Sequence, residues 1–126
     1  MQGNGITKDK AAAAVWLRKS AEAGFAVAQG TLGEIYYFGQ GVTKDYTVAR
    51  SWFEKGAEQN NTKSITNLGL LMIEGQGGAQ NKDAGYALLR RAASMGDRQA
   101  QAKLDKQESE TKRIVDFLGS STALNG

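Results

Sequence analysis

A period of 36 residues runs through the chain and restricts it to a stacked array of like units. Gly3-Asn4-Gly5-Ile6-Thr7-Lys8-Asp9 returns as Gly39-Gln40-Gly41-Val42-Thr43-Lys44-Asp45 and, more loosely, as Gly75-Gln76-Gly77-Gly78-Ala79-Gln80-Asn81. Trp16, Trp52 and Leu88 share one register, Ala21, Ala57 and Ala93 a second, and Leu32, Leu68 and Leu104 a third. Each unit of such an array touches only its neighbours, and the stack presents an extended surface, so the repeat points to a binding protein.

Within a unit the residues specify two helices. Asp9, Asp45 and Asn81 each precede a helical stretch and can accept from the free amides of its first turn. The stretch that follows in the second unit carries Val48, Ala49, Trp52, Phe53, Gly56 and Ala57 at spacings of three and four, which forms one apolar stripe. Ala12, Ala13, Trp16, Leu17, Ser20 and Ala21 form it in the first unit, and Ala84, Gly85, Leu88, Leu89, Ala92 and Ala93 in the third. Gly24, Asn60 and Gly96 stop these helices, being residues that tolerate the left-handed backbone of a helix C-terminus.

The second helix of the unit carries Ala28, Leu32, Gly33, Ile35 and Tyr36, then Ser64, Leu68, Gly69, Leu71 and Met72. Glycine inside a helix costs about 1 kcal/mol against alanine, so its return at 33 and 69 predicts a close helix approach. Gly39 and Gly75 end this helix, and the Gly-x-Gly stretch turns the chain into the next unit. No Gly-Lys-Ser/Thr follows the glycines and no strand precedes them, so they read as a turn and not as a phosphate loop.

The pattern decays towards the C-terminus. Ala100 and Leu104 keep it, but Asp105 replaces the packing glycine and Glu108 takes the position of Tyr36 and Met72. A helix that is polar first and apolar later, through Thr111, Ile114, Val115 and Leu118, reads as a terminal cap, and residues 119–126 as a flexible tail. The reading is therefore an all-α, right-handed α/α superhelix of antiparallel helix pairs over residues 1–118, with units near 9–44, 45–80 and 81–118. Its helices lie near 9–23, 26–38, 45–59, 62–74, 81–95 and 98–118. Met1 falls in the register of Tyr37 and Ile73, which reads as a chain that begins inside a repeat, as a piece of a longer protein would.

Composition narrows the chemistry. There is no histidine and no cysteine, so the commonest general base, the commonest metal ligand and any disulfide framework are missing, and no metal or cofactor is expected. The 16 basic residues are interleaved with 13 acidic ones; Arg90, Arg91, Arg98, Lys103 and Lys106 come nearest to a cluster. No apolar run is long enough to span a bilayer, and the start lacks the features of a secretory signal. That reads as cytoplasmic for a full-length chain, and leaves the periplasm or export open for a piece of a longer one.

Gly-x-Gly-Val-x-x-Asp, then Ala-x-x-Trp-Phe-x-Lys-x-Ala-Glu, then Ala-x-x-x-Leu-Gly-x-x-Tyr resembles the Sel-one-like repeat (SLR) family, a relative of the tetratricopeptide repeat, over residues 3 to 104. The departures are Leu88 for tryptophan, Met72 for tyrosine and Gly78 for valine. The resemblance implies a non-enzymatic adaptor that holds a peptide or protein partner in a concave groove, with an inhibitor or immunity-type protein as a narrower form. Carried across by position from the Leu-Gly anchor, the groove row is Val27, Gly30, Glu34, Tyr37 and Phe38, then Lys63, Thr66, Leu70, Ile73 and Glu74, then Gln99, Ala102 and Lys106. For Tyr37, Phe38, Leu70 and Ile73 two readings stand, a binding face or packing between units. An enzyme reading would use Glu34 and Glu74 as the carboxylate pair of a cell-wall or glycoside hydrolase. A nucleic-acid reading needs recognition residues at one constant register, and Val27, Lys63 and Gln99 do not form such a series.

Overall fold

The computed structural model describes the backbone of residues 2–125 and the side chains of residues 11–119. It contains α1 (Gln2–Glu22), α2 (Ala26–Phe38), α3 (Tyr46–Glu58), α4 (Thr62–Glu74), α5 (Lys82–Ser94) and α6 (Arg98–Asn125), with no strand among the described residues. Each helix packs on the next in sequence, and α2 also touches α4, so the second helices of successive units lie side by side. The pairs α2 with α3 and α4 with α5 pack most extensively. Together they form the all-α solenoid that the period requires.

Local chemistry sets the boundaries. Asp45 Oδ1 accepts from the Val48 amide at 3.0 Å and Asn81 Oδ1 from the Ala84 amide at 3.0 Å, which satisfies one free donor of each helix. Asn61 and Asp97 do the same for α4 and α6. Gly24, Asn60 and Gly96, the expected stops, have φ of 100°, 64° and 97°. Asn60 is the only non-glycine residue among those described with a positive φ, and its Oδ1 accepts a hydrogen bond from Arg91 of α5.

The first turn differs from its repeats. Residues 3 to 9, read as a Gly-x-Gly turn, belong to α1, and Asp9 lies inside the helix and not before it. In the later units the Asp45 amide donates to Tyr36 O at 2.9 Å and the Asn81 amide to Met72 O at 2.8 Å, so a preceding helix pins the turn. No described residue supplies that carbonyl to the first unit, and a helical bond takes its place. The same cause leaves Trp16 68% exposed, whereas Trp52 packs against α1 and α2 and Leu88 against the Gly69 backbone. Met1, read as the start of a partial unit, lies outside the described residues.

The final helix also departs from its reading. Ala100 is fully buried and Leu104 packs on the core, but α6 has 28 residues against 13 in α5. Ile114, Val115 and Phe117 are exposed, so these apolar side chains do not serve as the buried end of a cap. Helix continues to Asn125, beyond residue 118; the side chains of 120–126 lie outside the described residues.

The repeated glycines mark close approaches. A Cβ on Gly33 would meet the Phe53 ring at 2.5 Å, and one on Gly69 would meet Gly85 O at 2.9 Å and Leu89 Cδ2 at 3.1 Å. Gly78 stands where valine is expected because the Arg50 guanidinium lies across it, 2.9 Å from a Cβ placed there, and donates to Ala79 O at 3.0 Å. Fully buried Ser64 imposes the same demand on two sides, since a Cβ on Gly56 would overlap it and one on Gly30 would lie 2.8 Å from its Oγ. The other units place Ser20 with Ala28 and Ala92 with Ala100 at the registers of Gly56 and Ser64. We therefore expect Gly56→Ala to cost about 1–2 kcal/mol despite the gain in helix propensity, and Ser64→Ala to recover part of that loss. Denaturant unfolding of the two single variants and the double variant measures the coupling. Strict additivity would show that the two residues do not compete for the same space.

Candidate partner-binding cleft

The second helices place a cleft of about 340 Å³ across all three units. Glu34, Tyr37 and Phe38 come from the C-terminal half of α2, Asn67, Leu70, Leu71 and Glu74 from α4, Gln76 from the turn after it, and Gln99 from α6. Phe53 of α3 forms the floor, 1% exposed and held flat against Gly33. The wall is aromatic at one end: Tyr37 meets Phe38 edge to face at 4.9 Å and Tyr46 at 5.1 Å. Phe38 remains 63% exposed, although it is a large apolar side chain at the end of a well-packed helix.

Six of the thirteen residues of the expected groove row meet here: Glu34, Tyr37, Phe38, Leu70, Glu74 and Gln99. The other seven do not line the cleft. Thr66 is buried at 1% and Ile73 at 4%, because both lie on the edge of α4 that faces the third unit. A Cβ on Gly85 of α5 would meet Ile73 Cγ1 at 2.6 Å, and Thr66 occupies the register of Gly30, which faces the next unit's second helix at Ser64. Ile73 is inter-unit core. The Thr66 hydroxyl finds no hydrogen-bond partner there.

Lys63 sits at the rim, with its ammonium 3.0 Å from Glu34 Oε1 across the unit boundary. One repeat later the same registers hold Gln99 and Leu70, which both line the cleft. Val27 has no described second helix before α2 to meet, and is exposed. Asn67, Gln76, Phe53 and Leu71 were absent from the expected row. Asn67 was findable, since it lies one helical turn beyond Lys63 and one before Leu70 and Leu71. Phe53 and Leu71 read as core in sequence, and they are core that also floors a cleft.

Glu34 and Glu74, the pair an enzyme reading would use, both line the cleft, but neither is set apart from water and from other groups as a glycosidase acid is. The Glu34 carboxylate accepts from the Asn67 amide at 3.3 Å as well as pairing with Lys63, and Glu74 is exposed, whereas such an acid works in a water-poor pocket. Among the described residues no group of three or more ligand-type side chains could hold a metal, and no helix is long and apolar enough to cross a membrane.

The Sel1 repeat model matches the chain three times, over residues 1–25, 26–61 and 62–97. Its phase joins α2 to α3 and α4 to α5, the pairs that pack most extensively. Among solved structures the chain is similar to a Sel1 repeat protein from Oxalobacter formigenes, at 34% identity and a TM-score of 0.71 over 74% of this chain and 27% of that one. It is also similar to a protective antigen of uropathogenic Escherichia coli strains that displays an SLR fold, at 29% identity and a TM-score of 0.76 over 80% of this chain and 22% of that one. The cysteine rich protein B of Helicobacter pylori shares the fold at 24% identity and a TM-score of 0.65, over 71% and 67% of the two chains. The chain thus spans about a quarter of the length of the first two. Among curated proteins there is no match to its sequence. With three consecutive matches and the glycine turns and Leu-Gly anchors in register, the chain belongs to the Sel1 repeat family.

Proposed function

We propose that this chain is a protein-interaction scaffold and that the cleft over α2, α4 and α6 holds a segment of a protein partner. Sel1 repeat proteins are generally protein-interaction scaffolds. The observation that carries the reading is Phe38, an exposed aromatic side chain in a cleft shared by three units, backed by Tyr37 and facing Leu70. Aromatic side chains in partly enclosed, desolvated positions supply much of the energy of protein interfaces.

Replacing Tyr37 and Phe38 together by alanine should weaken partner capture by about 2 kcal/mol or more, while the helical content stays near that of the parent. Affinity capture on the immobilised chain, with circular dichroism and thermal unfolding of the same variant, measures both. Unfolding of the variant would mean that the pair is core, and normal folding with normal capture would move the site elsewhere. The narrower role of an inhibitor or immunity-type protein requires the captured partner to be an enzyme whose activity falls when the cleft engages it.

A further inference from the structure

The lining of the cleft contains two carboxylates and neither lysine nor arginine, in a chain whose net charge is +3. The two acids differ. Glu34 is engaged by Lys63 and Asn67, whereas Glu74 is exposed and has neither ion pair nor hydrogen bond among the described residues. Glu74 is also the last residue of α4, and the C-terminal end of a helix carries a partial negative charge that a basic residue in the last turn usually offsets. Neither α4 nor α2, which ends at Phe38 on the same cleft, has one. Lys44, in the turn after α2, is engaged over the Tyr46 ring at 4.7 Å and does not line the cleft. The Gly39 and Gly75 amides and the Gln80 side chain satisfy carbonyls at these two helix ends, so the unpaired charge at this end of the cleft is the Glu74 carboxylate itself.

We infer that the cleft selects a partner segment in which an arginine or lysine stands next to an apolar side chain. The cation lies at Glu74 and against the open face of Phe38, which attracts it through the ring quadrupole, and the apolar group rests on Leu70. This inference rests on the cleft being the partner site, and names what it accepts.

The test uses the whole chain and three fluorescein-labelled peptide pools. Each pool is an undecapeptide randomised over leucine, isoleucine, valine, phenylalanine, alanine and serine, with its central residue fixed as arginine, glutamine or glutamate. By fluorescence anisotropy at low salt the arginine pool should bind about tenfold more tightly than the glutamate pool, a ratio that shrinks as salt is added. Glu74→Gln should bring the arginine and glutamine pools close together, while Glu34→Gln keeps most of the difference. Equal affinity for all three pools, or no binding by any of them at millimolar concentration, overturns the charge selection. Tight arginine-pool binding that survives the Tyr37→Ala, Phe38→Ala double change overturns the cleft assignment itself.

Discussion

Phe53→Ala lowers the unfolding free energy by about 3–5 kcal/mol, the usual cost of deleting a fully buried aromatic ring, and this is the largest expected effect of any single truncation in the chain. Phe53 is 1% exposed, lies against the Gly33 backbone and floors the cleft, so it joins the first two units and supports the binding wall together. Domains of this size have about 5–15 kcal/mol of stability in total, so the variant loses a large share of it. Gly33 has no side chain to replace the contacts that the ring loses. Urea unfolding followed by circular dichroism gives the value. A loss below about 1 kcal/mol would mean that the units are held chiefly by other contacts.

Gly85→Val should cost about 3 kcal/mol, at the upper end of what overpacking usually does. A Cβ on Gly85 would lie 2.7 Å from Gly69 O, 2.6 Å from Ile73 Cγ1 and 3.1 Å from Ile73 N, so two of the three neighbours are backbone atoms that no rotamer change can move. Gly69→Val meets the same crossing from the other side, with Gly85 O at 2.9 Å, and should cost about 1–3 kcal/mol. Since α5 packs on the rest of the chain most extensively through α4, Gly85→Val should detach the third unit before the first two unfold. A fall in the denaturant slope, or a second transition, reports that detachment. An unchanged midpoint and slope would show that α4 and α5 can separate without loss.

Much of this was legible in the sequence because the repeat states each constraint more than once. The spans of α2 and α4 match their readings at both ends, and α3 and α5 fall within a residue of theirs; an Asp or Asn side chain caps α3, α4 and α5, a glycine or Asn60 stops all four, and α2 starts at Phe25 without a side-chain cap. The ends of the array were not legible in the same way. Trp16 has the sequence environment of Trp52, and Ile114 and Val115 have apolar spacing, but burial depends on a neighbouring helix and not on the residue's own register. The groove row divides for a related reason. Thr66 and Ile73 lie on the same helix as Leu70 and Glu74, and only the angle between successive units decides which edge of α4 is covered. That angle follows from the sizes of Gly69, Gly85, Ser64 and Phe53 acting together, which no single register reveals.

Trp16 and Trp52 also make the chain its own optical probe. Each indole carries a lysine over its ring three residues ahead, Lys19 at 5.3 Å and Lys55 at 4.5 Å, so their immediate chemistry is matched. One ring faces solvent and the other is packed between the first and second units. Their emission spectra therefore differ through the solvent each ring meets, the exposed ring serving as an internal solvent standard for the packed one. Opening of that seam, by heat or by a partner that spreads the units, merges the two signals without any label being attached.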